Sequence, residues 1–283
     1  DYTLLKDAGF RVLQTGIESF SQNYLDKMRK GTNVIDNIAS LKYCKENNIK
    51  NPYNLIVHYP NEDHSDFEQT QQNITHIMNY INPPTCCDFK LMYGSPVYSN
   101  KQMYNIKDAT NTPIDQLMFP ENILKQDFSF VFDFTTLQEP IHNNWQDLLD
   151  NWKKSYNTLL TFGYQTQRDI DLFIFFFVDG KNYLKIYDKR NSNQIQIYTL
   201  NEVEREVFLS CIDIISFEQL KQKNPFIQET ELEMMLQNFK EMGIVFEQKN
   251  HFLSLPLDLR KCVGIHKKKI NIPKIEDTIP LFS

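Results

Sequence analysis

Three short polar segments follow predicted buried strands and carry most of the side chains that could take part in chemistry. They are residues 16–19, 58–62 and 93–96. Each contains Gly or Pro, which allow a tight turn and a close approach of backbone to ligand. A carboxylate such as Glu18 accepts hydrogen bonds from a ligand ammonium or a ribose hydroxyl. The alternative for Glu18 is structural: it caps the next helix or pairs with Arg29 or Lys30.

The cysteines form no metal-binding motif in the sequence. Cys86 and Cys87 are adjacent without a partner two or three residues away, and the other three of the five cysteines are isolated. We therefore predict neither a zinc site nor an iron–sulfur loop in this chain, and assign no metal ligands. The sequence also lacks the glycine-rich nucleotide-binding loops and the GxSxG nucleophile motif.

A small polar cluster follows the second predicted strand. It consists of His58, Glu62, Asp63 and His64. These residue types are metal ligands in other proteins, but a polar loop at a strand end accounts for them more simply. The pattern favours the polar loop and leaves the metal site as the alternative.

Alternating strand and helix patterns between Gly9 and Gly94 predict βαβ units. Strands are expected at residues 11–17, 53–59 and 88–93, and helices at residues 33–48 and 65–81. Ser65 and Glu68 form the capping box predicted to open the second helix. Strands joined by such helices make a parallel sheet, and ligands bind at its carboxyl edge.

The rest of the chain is predicted to contain a loop, then mixed strands and helices, and then a winged helix. Residues 95–125 are expected to form a long loop with short helical turns. A strand at 128–134, an amphipathic helix at 145–159, an antiparallel hairpin at 172–187 and a strand at 194–199 follow. Residues 201–259 predict a winged helix, with its wing strands joined at Lys249-Asn250, and residues from 260 onward a loose tail.

Composition and charge exclude several classes of protein. Apolar residues make up 41% of the 283-residue chain, so a disordered protein is excluded. The net charge of −6 argues against a general nucleic-acid binder, and no apolar run is long enough to span a membrane. Residues 201–259 carry 5 Lys and Arg against 11 Asp and Glu, which argues against DNA binding. We predict a cytoplasmic protein.

The first half of the chain resembles a known family. Gln14-Thr-Gly-Ile-Glu-Ser-Phe20 and Leu25-Asp-Lys-Met-Arg-Lys-Gly-Thr32 are similar to the fourth strand and following helix of radical S-adenosylmethionine (SAM) enzymes. Together with Leu41-Lys-Tyr-Cys44 and residues 53–62, they resemble the cobalamin-associated branch that matures ribosomally made peptides (RiPPs). Asn61 stands where that branch has glycine, and His58 where a small residue is common. The resemblance covers residues 1–160 well and the rest loosely.

The resemblance implies an α/β fold. It would be the second half of a partial (β/α)6 radical SAM barrel, its fourth to sixth strands, followed by an α+β region and a winged-helix-like C-terminal module. The predicted divisions are 1–96 for the partial barrel, 97–200 for the α+β cap, 201–259 for the winged-helix-like module and 260–283 for the tail. Because residues 1–9 look like the end of a helix, we expect the chain to be part of a larger protein.

The resemblance also implies cofactors and a site. The predicted SAM-binding residues are Glu18, Ser19, Asn54, His58 and Tyr93. In the family, a three-cysteine loop and a cobalamin domain lie upstream of this stretch. The [4Fe–4S] cluster and cobalamin of the intact enzyme are therefore expected to have their ligands outside this chain. There the cluster would cleave SAM to the radical that abstracts a substrate hydrogen.

Two functions follow from these observations. The preferred one is the C-terminal portion of a radical SAM enzyme that modifies a precursor peptide, by C-methylation, and holds SAM together with the leader and core of that peptide. The alternative is a non-catalytic peptide-binding or scaffold protein built on the same fold. No nucleic-acid or membrane partner is predicted. The sequence leaves open which peptide and residue are modified, and the oligomeric state.

Overall fold

A computed structural model describes residues 2–125, 129–137, 143–165, 173–191 and 195–263. The tail predicted from residue 260 lies outside the described residues beyond Val263. The first ninety residues form four helices and two strands. They are α1 (Tyr2–Asp7), α2 (Gln22–Lys27), α3 (Val34–Glu46), β1 (Asn54–Val57), α4 (His64–Ile74) and β2 (Thr85–Asp88).

The strands of this segment run in parallel. β1 pairs with β2, with Val57 opposite Asp88. The strand predicted at residues 11–17 is present only as two single parallel bridges, from Val12 to Lys50 and from Glu18 to Leu55. Three chain segments therefore end side by side at one carboxyl edge, in the order of residue 18, β1 and β2.

The strand predicted at residues 88–93 is wrong in its position. The chain instead forms β2 and then β3 (Leu91–Met92), which pairs antiparallel with a different strand. The break occurs because Phe89 turns into an aromatic cluster, with ring centroids 4.8 Å from Tyr59 and 5.7 Å from Phe134. Burial of this ring outweighs continuation of the β-ladder.

The start of α4 also differs from the prediction. Its N-cap is Asp63, not Ser65: the Asp63 carboxylate accepts from the Asp66 N–H at 3.2 Å, and the Asp66 carboxylate accepts from the Asp63 N–H at 2.9 Å. Ser65 instead donates its hydroxyl to Asp63 at 2.6 Å. A carboxylate is the stronger acceptor for the exposed N–H groups of the first turn.

Residues 95–125 are more regular than the predicted loop. The elements here are α5 (Pro96–Ser99), a 3₁₀ helix (Lys101–Tyr104), β4 (Ile106–Asn111), α6 (Pro113–Met118), α7 (Glu121–Leu124) and then β5 (Val131–Thr136). β5 lies between β3 and β4 in a three-stranded antiparallel sheet. β4 was not predicted from the sequence, because only Ile106 of its six residues is buried and the strand therefore shows no alternation of apolar and polar residues.

A long helix and a four-stranded sheet follow. α8 (Trp145–Gln165) buries Trp145 and Trp152, and the Trp152 indole donates to the carbonyl of Ile81 at 2.9 Å. β6 (Phe175–Asp179), β7 (Leu184–Asp188) and β8 (Gln196–Leu200) form the antiparallel meander that the sequence predicts. Residue 128 and parts of the predicted strands at 172–178 and 194–199 lie outside the described residues.

Residues 202–254 form three helices and a small antiparallel sheet. The elements are α9 (Glu202–Ser210), β9 (Ile215–Ser216), α10 (Phe217–Lys223), α11 (Glu229–Glu241), β10 (Val245–Gln248) and β11 (His251–Ser254). Asn201 and Ser216 cap α9 and α10 as predicted. β11 is the central strand of this sheet and not an open edge, because it pairs with β10 on one side and β9 on the other.

The C-terminal residues are joined to the rest of the molecule in two ways. β12 (Leu257–Asp258) pairs in parallel with β6, and α12 (Leu259–Cys262) follows it. The buried Lys42 of α3 donates to the Ser254 hydroxyl at 3.1 Å and to the Ile212 carbonyl at 3.3 Å. The divisions at residues 96, 200 and 259 stay predictions. The sheet of β3, β5 and β4 crosses the first of them, and the sheet of β12, β6, β7 and β8 crosses the second.

The largest apolar core joins residues 17–81, α8, the four-stranded sheet and the C-terminal helices, from Ile17 to Leu257 in β12. A second, smaller aromatic core lies under the strand ends and includes Tyr24, Tyr59 and Phe132. Among the described residues, no helix has the length and apolar character needed to cross a membrane.

Candidate functional site at the strand ends

The first strand end places Glu18 beside β1. The Glu18 N–H donates to the Asn54 carbonyl at 3.1 Å, and the Ile56 N–H donates to the Glu18 carbonyl at 2.9 Å. Glu18 has a left-handed backbone, with φ of 60°. Such a conformation is uncommon outside Gly, Asn and Asp, and it ends the strand abruptly.

The Glu18 carboxylate pairs with Lys30. Its Oε1 lies 3.2 Å from the Lys30 Nζ, and the two side chains are 18% and 32% exposed. A Cβ placed on Gly16 would lie 3.1 Å from the Lys30 Nζ and 3.2 Å from the Glu18 Oε1. Glu18 thus forms the ion pair with Lys30 that the sequence offers as the alternative to a role in ligand binding. The pair remains accessible, so it also offers a ligand one positive and one negative group.

Two other predicted site residues have different surroundings. Ser19 is fully buried, and its hydroxyl accepts from the Ser21 N–H at 3.0 Å, so it shapes the turn into α2. Asn54 lies next to Glu18 but is the first residue of β1, three residues before the carboxyl end of that strand. Asn54 therefore lies one residue before Leu55, the residue paired with Glu18, and away from the carboxyl end of β1. The SAM-binding roles of both residues stay predictions.

His58 follows β1 and makes a contact that the sequence did not reveal. Its Nδ1 lies 2.7 Å from the Asp88 Oδ1, at the end of β2. His58 also has a left-handed backbone, with φ of 56°, and Asn61 has φ of 68°. This conformation explains why glycine or another small residue suits both positions, and Asn is among the residues that tolerate it best.

Glu62 organises the loop between β1 and α4. Its Oε2 accepts from the His58 N–H at 2.7 Å and the Tyr24 hydroxyl at 3.0 Å. Its Oε1 accepts from the indole of Trp145 and the amide of Asn143, both at 2.7 Å. Four donors from three separate parts of the chain hold one carboxylate, so this loop has a defined shape.

Tyr24 links that carboxylate to the smaller aromatic core. It is fully buried, and its hydroxyl accepts from the Tyr59 N–H at 3.0 Å while donating to Glu62. Burial, and next the negative charge of Glu62, raise the pKa of Tyr24 well above its ordinary value. Tyr24 is therefore a fixed hydrogen-bond donor at neutral pH, and its role is structural.

Tyr93, the fifth predicted site residue, is not at this edge of the parallel sheet. It follows β3, is half exposed and packs against the ring of Tyr98 at 5.2 Å. The residue that ends the neighbouring parallel strand is Asp88. The sequence predicts a strand that begins at Asp88, whereas in the structure β2 ends at this residue. Asp88 is therefore absent from the predicted site residues.

The polar cluster after β1 does not form a metal site. His58 contacts Asp88, whereas His64 contacts the Asn143 Oδ1 through its Nδ1 at 2.9 Å. Asp63 pairs with Lys27 at 2.8 Å. In the described ranges, no three His, Cys, Asp or Glu side chains are grouped so as to hold a metal ion. Glu62 accepts from the His58 N–H, and Glu62 and His64 share Asn143 as a partner, so the side chains of the cluster are joined by hydrogen bonds within the loop.

Comparison with known proteins gives one family. Residues 1–74 match the radical SAM superfamily, which is about a quarter of the chain. The match runs from α1 to the last residue of α4 and so includes Glu18, Asn54, His58 and Glu62. No curated protein matches the chain. The match supports a radical SAM-type protein.

The match implies SAM and an iron–sulfur cluster, and the described residues fit these two groups differently. The Glu18–Lys30 pair suits the ammonium and carboxylate of an amino acid, and His58 and Asp88 suit hydrogen-bond donors. The cysteines do not suit a cluster: Cys44 and Cys211 are buried and separate from the adjacent Cys86 and Cys87.

Proposed function

We propose that this chain holds SAM and a peptide substrate in a radical SAM enzyme that matures a ribosomally made peptide, in its cobalamin-associated branch, by C-methylation. The observation that carries the proposal is the superfamily match, which covers Glu18, Lys30 and β1 at the polar carboxyl edge and ends before β2. Bound SAM supplies the adenosyl and methyl groups of the reaction. The chain's own residues bind and orient it.

The geometry supports separate roles for the strand ends. Lys30 Nζ and the Glu18 carboxylate, 3.2 Å apart, can pair with the carboxylate and ammonium of the methionine part of SAM. Gly16 leaves the space beside this pair that a side chain would fill. Glu62 fixes the next loop, so that the edge is shaped before a ligand arrives.

The C-terminal residues support peptide recognition in this proposal. The order helix, strand, two helices and two strands from α9 to β11 is that of a winged helix. Lys240 of α11 is paired with Glu247 at 2.9 Å, in a segment with an excess of carboxylates. Few cations remain for a phosphate backbone, which favours a peptide over nucleic acid. A peptide could bind by pairing as an extra strand with this sheet. Because β11 is the central strand, the peptide would have to pair with β9 or β10.

A titration of the 283-residue chain with SAM tests the proposal. We expect saturable heat in isothermal calorimetry, and we expect Glu18→Gln to weaken binding by about tenfold, since it removes one charged hydrogen bond. Glu68→Gln, an exposed carboxylate of α4, is the matched control. A folded chain that gives no heat with SAM would contradict the proposal.

The second candidate is a non-catalytic peptide-binding protein on the same fold. The observation that favours it is that the described residues bring no cluster ligands together. This candidate predicts no SAM binding by a chain that melts cooperatively. It also predicts that panning a phage-displayed peptide library on the immobilised chain selects a common sequence motif.

A further inference from the structure

A groove lies between helix α11 and the wing hairpin formed by β10 and β11. It has a volume of about 360 Å³. Its apolar lining consists of three almost fully buried side chains, Phe217, Leu236 and Phe252. Its carboxylates are Glu229, Glu233 and Glu247. This acidic groove suits a ligand that carries both cationic and apolar groups.

The acidic groove has more negative than positive charge. Lys240 lines it and pairs with Glu247 at 2.9 Å, whereas Lys221, outside the lining, pairs with Glu229 at 3.1 Å. Glu233 is exposed and pairs with no cation of the described residues. A cationic ligand therefore gains attraction at Glu233 without displacing an ion pair that the groove already holds.

Residues 264–275, which follow the described part of the chain, have the matching composition. They contain four lysines and four isoleucines and neither Asp nor Glu. The lysines are Lys267, Lys268, Lys269 and Lys274, and the isoleucines are Ile265, Ile270, Ile272 and Ile275. The whole chain has 30 Lys and Arg in 283 residues, so four in twelve is about a threefold enrichment. The segment thus combines the two kinds of group that the acidic groove suits.

The segment begins within reach of the acidic groove. Lys261, shortly before it, lies 3.7 Å from Glu46 in the last turn of α3. The wing contacts the other end of the same helix, where the Gln248 side chain accepts from the Ile35 N–H at 2.9 Å. The helix between Ile35 and Glu46 is about 16 Å long. Because twelve extended residues span up to about 40 Å, residues 264–275 can cover this distance.

We propose that residues 264–275 dock in the acidic groove of their own chain, with lysines beside its carboxylates and isoleucines against its apolar lining. Because the segment is attached a short distance away, its effective concentration at the groove is in the millimolar range, which favours its own chain over a second copy. This docking goes beyond the proposed function and needs no SAM. A peptide added from solution would have to displace the segment or bind at the strand edges.

Photo-crosslinking of the 283-residue chain tests this docking. We replace Gln237, which lines the groove, by p-benzoylphenylalanine, and in a control protein we replace Glu121, an exposed residue of α7. Mass mapping of the irradiated monomer should find position 237 linked to residues 264–275, at a yield at least about tenfold above that of the control. A crosslinked dimer would mean that a second copy fills the groove. Links only to other parts of the chain would mean that the segment does not enter it. Either result overturns the proposal.

Neutral variants test whether charge holds the segment in the groove. Glu229→Gln together with Glu233→Gln should lower the crosslink yield by about threefold to tenfold, and about 0.5 M NaCl should lower the yield of the unaltered chain in the same way. Glu231→Gln is the matched control. It changes an exposed carboxylate of the same helix outside the groove lining, so the yield should stay as it is.

A charge reversal separates loss of attraction from damage to the groove. Lys267→Glu, Lys268→Glu and Lys269→Glu together should abolish most of the crosslink. Adding Glu229→Lys and Glu233→Lys to that protein should restore at least about half of it, because the complementary charges are then exchanged. A crosslink that is insensitive to salt and to these charges, or that does not return in the reversed protein, would overturn the proposal.

Discussion

Glu62 and Glu46 show two ways in which a carboxylate organises this molecule. Glu62 is partly exposed and accepts four hydrogen bonds of 2.7–3.0 Å from neutral donors. Glu46, at the end of α3, is fully buried and accepts one, from the Asp258 N–H at 2.9 Å. Lys42 and Lys261 lie 3.7 Å from it, and its Oε2 has no hydrogen-bond partner.

The two carboxylates therefore have different structural roles: Glu62 fixes the geometry of a loop, and Glu46 joins two parts of the chain. Short hydrogen bonds depend steeply on distance and angle, so Glu62 fixes the geometry of the strand-end loop. Charge attraction in a buried environment acts over longer distances, so Glu46 joins α3 to the C-terminal residues without fixing their orientation closely. Burial lowers the pKa of Lys42, and the negative charge of Glu46 opposes that shift by favouring the charged lysine.

The largest expected effect comes from Glu46→Gln. It removes the negative charge that balances two lysines, one of them only 1% exposed. Loss of one partner of a buried ion pair costs about 3–5 kcal/mol. Urea unfolding at pH 7 measures the loss, with Glu68→Gln expected to change the free energy of unfolding by less than about 0.5 kcal/mol.

A double variant sharpens this prediction. In Lys42→Met with Glu46→Leu, both charges are gone, and buried ion pairs replaced by apolar residues are often nearly neutral. We expect the double variant to regain more than half of the stability lost in Glu46→Gln. If it is the less stable of the two, the hydrogen bonds of Lys42 to Ser254 and Ile212 matter more than its charge.

The next effect is that of Glu62→Gln. The amide would turn a donor toward groups that are themselves donors, which costs about 2–3 kcal/mol. Because the Trp145 indole donates to Glu62, its fluorescence should also shift to longer wavelength, measured in a Trp152→Phe background. Asn143→Ala, which removes one of the four donors, should cost less. An unchanged emission maximum would mean that Glu62 does not hold Trp145.

These two carboxylates also mark what the sequence could predict. Helix periodicity placed α8 and also α3, although α3 is buried around most of its surface, with the polar Asn37, Lys42 and Glu46 among its buried residues. Gly-Ile-Glu-Ser placed Glu18 at a strand end, where it lies. The Glu62 network was beyond prediction, since Trp145 and Asn143 are about 80 residues away and reach it only in the folded chain. Asp88 was missed because the break at Phe89 is set by tertiary packing.

Arg205→Met should give a smaller and pH-dependent effect. The Arg205 guanidinium holds the Asp179 carboxylate at 2.5 and 2.9 Å and lowers its pKa below the ordinary value. A carboxyl whose pKa is lower in the folded protein stabilises it above the unfolded pKa of about 3.9, and that stability is lost as the pH falls below it. We expect a loss of about 2 kcal/mol at pH 7.

Urea unfolding at several pH values checks this dependence. The difference between Arg205→Met and the unaltered chain should stay constant down to about pH 4 and then narrow, as the pH falls below the unfolded pKa of about 3.9 and towards the lowered pKa of Asp179 in the folded chain. Lys153→Met, which breaks the exposed pair with Asp150, should cost less than about 0.5 kcal/mol at any pH. A constant difference down to pH 3 would show that Arg205 acts through packing.

The smallest expected effect concerns thiol reactivity and leaves stability unchanged. Cys86 is exposed on β2, whereas Cys211 is buried in the C-terminal part, where burial raises its pKa to about 12. Burial, and next the charge of Asp88, also raise the pKa of Cys86. Because alkylation requires both access and thiolate, N-ethylmaleimide at pH 8 should label Cys86 at least about 100-fold faster than Cys211.

The same labelling connects the strand edge to its ligand. Cys86 and Asp88 are two residues apart on one strand, so their side chains share a face of the sheet. Saturating S-adenosylhomocysteine should therefore slow the labelling of Cys86, followed by peptide mass mapping, and leave Cys262 unaffected. Equal labelling rates of Cys211 and Cys86 would mean that the C-terminal part opens often enough to expose the buried Cys211 as fully as Cys86. The contacts of Glu46 with Lys42, Lys261 and the Asp258 N–H would then be too weak to keep the C-terminal part packed on α3.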